Sequence, residues 1–388
     1  MLRRLIATLF LAAQPMLAGA TSIDIPIVFL KQVQSDRPTL SNLDPVPEDL
    51  ARAGAELALK DNKTTGQFLG HTYALTVLEV TTDADVIASA QSALQQSQLL
   101  VLDVAPQNIT TIADLTQAQN ALLFNASAGD IALRGSDCRA NLLHSVPSDA
   151  MRADALMQFA RSKRWEDLAL ISGPNPIDLT FAQALRDSAH KFGLKISAEL
   201  TWDIDADMRR NAAQEIPLLT QRLGDYDLLL VADETDDFGR YIPFNTWRAR
   251  PVAGSAGLMP QTWSRVVEQW GAAQLQSRFH DLAQRDMRAR DYGAWAAVRS
   301  IGEAVTRTGS ADPQTLRDFI LSETFELAGF KGRPLSYRSW NGQLRQPIPL
   351  VTQRAVVTQA PLPGYLHQTS EMDTLGADQP ESTCEAFQ

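Results

Sequence analysis

The chain has 388 residues, 45% of them hydrophobic and 21% charged, with a formal net charge of −10. That length allows two domains of ordinary size, and the apolar fraction is that of a globular protein. The acidic balance argues against nucleic acid as a partner, although a pocket can still be locally basic and take an anionic ligand.

Residues 1–20 read as a secretory signal peptide. Arg3 and Arg4 form the positive segment, residues 5–13 the short apolar run, and Ala18-Gly19-Ala20 the small-residue cleavage site. The apolar run is too short for a bilayer, which needs about 20 residues, and no later stretch approaches that length. Export from the cytoplasm is therefore expected, and loss of Arg3 and Arg4 takes the charge from −10 to −12. No cysteine stands near the cleavage site, so a lipid anchor is not expected. The compartment permits disulfides. The two cysteines, Cys138 and Cys384, fit one bridge pinning the C-terminal tail, with two free buried thiols as the alternative. Two cysteines and five scattered histidines show no metal-ligand spacing.

Along the chain, residues 23–30 form an apolar, β-branched run that reads as a buried strand. A polar loop over 31–47 follows, and Pro47-Glu48-Asp49 opens a helix. Its stripe is Leu50, Ala53, Gly54, Leu57 and Ala58. Residues 62–70 read as a polar loop with two glycines, and 73–80 as a second strand. Helix 83–94, strand 99–104, helix 109–119 and strand 121–124 continue the alternation. Residues 137–144 read as a crossing to a second unit. Helix, strand, helix and strand then follow over 147–159, 168–172, 181–191 and 194–200, and a strand over 227–232. A long helix covers about 291–307, and residues 350–357 form a strand before a Pro-rich tail. Strands alternating with helices predict two doubly wound, parallel α/β halves. Ligands of such sheets sit beyond the carboxyl ends of the strands, here in the loops after Leu30, Phe124, Ile171 and Ala232.

Motifs for enzyme catalysis are absent: no Gly-x-Ser-x-Gly elbow, no His-Glu-x-x-His and no phosphate loop. The chain is read as a binding protein rather than an enzyme. The most informative local feature is Trp247-Arg248-Ala249-Arg250-Pro251, with Arg240 before it and Trp263 and Trp270 after it. Tryptophan stacks on planar ligands and arginine grips carboxylates bidentately, so the set suits a flat, anionic, aromatic molecule. Packing in a core or hinge is the alternative for each tryptophan. After the strand at 121–124, Asn125, Ser127 and Gly129 offer small, polar groups to a ligand, with Arg134 just beyond. Arg37 and Asn42 lie in the loop after the first strand. The acidic run 233–237 is either a solvated turn or, through Asp233, a carboxylate at the mouth of the site.

Residues 144–176, "HSVPSDAMRADALMQFARSKRWEDLALISGPNP", resemble the crossing and second-lobe start of type I periplasmic solute-binding proteins of ABC transporters. Residues 291–320 resemble the long first-lobe helix of that family. The resemblance implies two Rossmann-like lobes joined by a multi-stranded hinge. The lobes would be residues 21–143 plus about 270–325, and 144–269 plus about 326–360, with a tail over 361–388. More narrowly, "SNLDPVPED", "DNKTTGQFLG", residues 232–258 and "FKGRPLSYRSWNGQLRQPI" resemble the branch associated with alcohol oxidation dependent on pyrroloquinoline quinone, PQQ. That branch implies binding of PQQ, a flat tricarboxylate, in the periplasm for uptake or delivery, as ligand rather than as a catalytic cofactor, and the chain is expected to be a monomer. It also implies an ABC permease and a PQQ-dependent dehydrogenase as partners. Trp247 and Trp263 would then wall the ring, and Arg37, Arg134, Arg248 and Arg250 would meet carboxylates, with Ser127 a neutral donor. The family's amino-acid binders place an aromatic residue where this chain has Gly173-Pro174-Asn175-Pro176, and they hold an ammonium where Asp233 or Glu234 stands. Alternative cargoes are an amino acid or an aromatic acid. A different class of reading is an accessory or sensor protein of the oxidation system.

Overall fold

The computed structural model describes residues 22–33, 45–204 and 207–387. The signal-peptide residues, Arg37 and Asn42 lie outside them.

The first sheet is all parallel, in the order β2-β1-β3-β4-β5. Its strands are β1 (Ile23–Gln32), β2 (His71–Val80), β3 (Leu99–Asp103), β4 (Leu122–Asn125) and β5 (Leu142–His144). Ile25, Ile27 and Phe29 of β1 face one core and Val28 and Leu30 the other, so alternate residues serve helices on both faces. The first face carries α1 (Arg52–Leu69), α7 (Ala272–Ala283), α8 (Ala289–Thr308) and α9 (Pro313–Ile320). The second carries α2 (Asp83–Gln96) and α3 (Pro106–Ala113).

The second sheet, also parallel, runs β7-β6-β8-β9. Its strands are β6 (Asp167–Ser172), β7 (Lys195–Thr201), β8 (Leu228–Ala232) and β9 (Val252–Gly254). Helices α4 (Asp149–Ser162) and α5 (Pro176–Lys191) cover one face, through Met157, Phe181 and Leu185. Helix α6 (Met208–Gln221) covers the other. Three short strands, β10 (Met259–Pro260), β13 (Ile348–Val351) and β14 (Val356–Ala360), form an antiparallel sheet against α4. The strand expected over 350–357 is thus a hairpin, turned at 352–355. The small pair β11 (Ser336–Tyr337) and β12 (Leu344–Arg345) joins the first core, where Tyr337 packs edge-on against Phe124.

Among the described residues the chain passes between the lobes three times before its C-terminal tail. It leaves β5 at His144 and enters α4 at Asp149, returns between Pro260 of β10 and Trp263 of the first core, and crosses back between Leu344 and Ile348. The tail then makes a fourth connection. Leu362 and Leu375 pack in the second core, and the Gly376 N–H donates to Asp154 of α4. A disulfide joins Cys384 to Cys138 of the first lobe, with Sγ–Sγ 2.07 Å and Cα–Cα 5.7 Å.

Several elements differ from the sequence expectation: the helix expected over 109–119 is α3, which ends at Ala113, and α6, α7 and α9 are unanticipated. Residues 62–69, expected as loop, continue α1, which ends at Gly70 in the left-handed conformation. The polar and small residues there serve close packing: Asn62 Nδ2 donates to Val298 O of α8 at 2.8 Å, and Gly66 sits against the Tyr73 ring. At its other end α1 starts at Arg52, because Ala51 has φ 68° and its N–H is held by the buried Asp291. The unanticipated α6 buries only Met208, Ile216, Leu219 and Thr220, too sparse a stripe to stand out.

Candidate ligand site at the strand carboxyl ends

In each sheet the chain reverses its winding at one point: between β1 and β3 in the first, and between β6 and β8 in the second. The crevice beyond those strand ends is where open α/β sheets bind ligands. Helix α4 precedes β6, so its N-terminus lies at the carboxyl side of the second sheet. Only residues 145–148 separate it from the carboxyl end of β5. The carboxyl ends of the two sheets therefore flank the same crossing.

On the first lobe the loop after β4 is shaped by Asn125. Its Oδ1 accepts the N–H groups of Ser127 at 3.1 Å and Ala128 at 2.9 Å, and its Nδ2 donates to Ala128 O at 2.8 Å. Ser127 is half-buried, with its hydroxyl 3.5 Å from Val104 O, between the ends of β3 and β4. His144 backs the loop, with Nδ1 3.1 Å from Asn125 Nδ2. Burial, reinforced by the nearby Arg134 charge, pushes the imidazole pKa well down, so the ring is neutral. Asp103, the last residue of β3, is fully buried and ion-paired with Arg290 in the first turn of α8.

On the second lobe Arg152 of α4 binds Glu234, just past β8, through two bonds of 2.7 and 2.9 Å. It also bonds Asp149 at 3.0 Å and lies 4.3 Å from the centre of the Phe181 ring. Glu234 further accepts from Ser255 Oγ at 2.8 Å. Burial alone would raise the Glu234 pKa, but Arg152 outweighs it and the carboxyl lies below its usual range. Asp149 goes the other way: burial raises it, and Arg152 only partly offsets that. The Asp149 N–H donates to Gly129 O, tying the second-lobe helix to the first-lobe loop. Trp202, just past β7, stacks on Phe238 at 4.3 Å between ring centres.

The structure brings Asn125 and Ser127 to the strand ends of the first sheet, with Arg134 bonded to the same loop, and places Asp233 just past β8 in the second sheet. Arg134 is buried and spends its donors on Gln343 Oε1, Ala128 O, Asp130 O and Val146 O. Burial pulls its pKa down to about 10. Asp233 is likewise committed, accepting from Thr235 Oγ1 and from the N–H groups of Asp237, Phe238 and Gly239. Trp263 is 3% exposed in the first core, stacked on Tyr292 at 4.9 Å with its Nε1 donating to Gln276. Its expected place against a ligand ring is not met, because Tyr292 already covers it.

Trp247, Arg248 and Arg250 are also displaced from expectation. They precede β9, whose Val252 pairs with Leu229 at the start of the parallel β8, so they stand at the amino end of the sheet. Arg248 caps Gly224 O and pairs with Asp225, Arg250 approaches the same Asp225, and Trp247 is 59% exposed. Sequence reasoning missed Arg152, Trp202 and Arg290. A surface hollow lined by Asp24, Pro26, Gln95 and Pro313 lies at the amino end of the first sheet, away from this site.

A family model described as periplasmic binding protein matches residues 47–207. No curated protein matches the chain in sequence. Among solved structures, a branched-chain amino acid ABC transporter periplasmic ligand-binding protein from Burkholderia xenovorans LB400 superposes with a TM-score of 0.71 at 14% identity. The match covers 94% of this chain and 100% of that one. An ABC transporter substrate-binding protein from Sphaerobacter thermophilus gives 0.71 at 16% identity, over 91% and 100% of the two chains. A solute-binding protein from R. palustris, in complex with benzoate, gives 0.66 at 9% identity, over 93% and 99%. The fold of this chain is the two-lobed α/β fold of type I periplasmic binding proteins. The matched family and these neighbours are binding proteins rather than enzymes. Among the described residues no helix is long and apolar enough to cross a membrane.

Proposed function

We propose that this protein is a periplasmic solute-binding protein of an ABC-type uptake system, capturing its cargo between the lobes and presenting it to a membrane permease. The observation that carries this reading is that the carboxyl edge of the first sheet, at β5, runs within four residues into α4, whose N-terminus lies at the carboxyl side of the second sheet. The family match over residues 47–207 supports it.

The cargo we propose is PQQ. The support is the resemblance of residues 41–49, 61–70, 232–258 and 330–348 to the PQQ-associated branch. The tryptophan–arginine run at 247–251 gives no further support, given its place at the amino end of β9. Asp149, Asp178, Asp233 and Glu234 of the second-lobe wall are each hydrogen-bonded within the protein. The benzoate-bound neighbour favours an aromatic acid as the second reading. A PQQ-dependent dehydrogenase would be the partner that uses the cargo.

The test is titration of the purified protein with PQQ, followed by tryptophan fluorescence and calorimetry, beside a thermal-shift panel of aromatic acids and amino acids. Saturation at one PQQ per chain supports the cargo. A response to amino acids alone overturns it.

A further inference from the structure

The proposed function leaves open which group on the first lobe recognises an anionic cargo. Arg290 stands at the right place. It lies in the first turn of α8, a helix of 20 residues whose N-terminal end carries positive partial charge. One turn on, the same face holds Gly293, where a Cβ would come within 2.6 Å of Ala126 O and 2.4 Å of Val146. This close approach seats the start of α8 against the loop after β4. Arg290 pairs with Asp103 at the end of β3, on one side of the switch point. Asp103 is followed by Val104, whose carbonyl is the oxygen near the Ser127 hydroxyl.

The two partners differ in accessibility. The Asp103 side chain is fully enclosed, while that of Arg290 remains 37% exposed. Asp103 Oδ2 and Arg290 Nε are both buried without a hydrogen-bond partner, so the pair is not closed on itself as the Arg152–Glu234 pair is. A buried carboxylate holding one nitrogen of a guanidinium leaves its remaining donors directed by that contact. Asp103 also raises the Arg290 pKa, keeping the cation charged at any physiological pH.

We infer that Arg290, positioned by Asp103 and flanked by Ser127, binds a carboxylate of the cargo at the first-lobe switch point. This inference rests on the binding-protein reading but not on PQQ as the cargo. Arg290 would touch the ligand; Asp103 acts through it as a positioning residue.

The experiment compares wild type, Arg290→Gln and Arg290→Lys for binding of PQQ and its trimethyl ester, and of benzoate and benzamide. Thermal unfolding without ligand checks that each variant folds. Wild type is expected to prefer the acid over its neutral analogue. In Arg290→Gln that preference should collapse, with affinity for the acid falling about ten- to a hundredfold. Arg290→Lys should retain part of it, and serves alone if the glutamine variant does not fold. Asp103→Asn should lower acid selectivity while leaving affinity for the neutral analogue unchanged. An acid preference that persists in a folded Arg290→Gln overturns the inference. Binding of benzoate but not PQQ, with selectivity lost in Arg290→Gln, overturns the PQQ assignment and supports the inference. A wild type that responds to neither acid overturns both.

Discussion

Replacing Arg152 with methionine isolates the electrostatics of the second-lobe wall. Methionine retains much of the apolar stem over Phe181 but leaves Glu234 and Asp149 buried without their cation. Both carboxyl side chains are largely enclosed, at 17% and 9% exposure. Breaking a buried pair from one side costs about 3–5 kcal/mol, since the remaining charge is left uncompensated. Here two acids share one arginine, and their mutual repulsion adds to the cost. The loss should therefore fall in the upper part of that range at pH 7, read as a shift in the urea midpoint at constant slope.

The pH dependence gives the sharper check. In the wild type the Glu234 pKa is lowered, so its contribution is present above the unfolded value near 4.5 and is lost as pH falls through the folded value. Asp149 has the opposite sign: its pKa is raised, and its charge costs stability as pH climbs above 3.8. Without Arg152 both groups take the second sign. Acidification from pH 7 to pH 5 should then narrow the gap between variant and wild type. A loss below about 1 kcal/mol, or a gap that stays constant with pH, would refute this account of the wall.

Four further outcomes follow from the same geometry. Cys384→Ser opens a disulfide that closes 246 residues; loop closure sets an upper bound on the order of 5 kcal/mol, and guanidinium titration with and without reductant measures it. His144 stays neutral in the fold while the unfolded imidazole protonates near pH 6.5, so stability should fall by about 2 kcal/mol between pH 6.5 and 5, and less in His144→Gln. Trp247→Ala should leave cargo affinity unchanged in calorimetry, because the side chain stands at the amino end of the second sheet. Gly293→Val should displace α8 from Ala126 and weaken acid binding, with a destabilisation of about 1–3 kcal/mol in thermal and urea unfolding.

The longer parallel strands and most helices were legible because burial on both faces produces unbroken apolar runs, as in residues 99–103 and 228–232, while the short strands such as β5 and β9 were not. What failed was reading polar and glycine residues as loop. Asn62 and Gly66 lie inside α1 because α8 and Tyr73 come close there, a tertiary fact that local composition does not carry. Likewise α6 exposes most of its length and offers no stripe long enough to register.

The site was less legible, for a reason that concerns strand polarity. A parallel strand sends the residues after it toward the crevice and leaves the residues before it at the opposite edge. Residues 247–251 precede β9, but β9 is only Val252–Gly254, too short and too small-sided to be read as a strand. Chemically apt residues were thus assigned to the wrong end of the sheet. Arg290 shows the converse. Nothing in its sequence neighbourhood separates it from Arg285 or Arg288, and its role depends on α8 starting over the end of β3. That placement is set from a distance, by Gly293 meeting Ala126 and by Asn62 meeting Val298 and Gly302. The residues that locate Arg290 are accordingly two glycines and an asparagine, none of which carries a charge of its own.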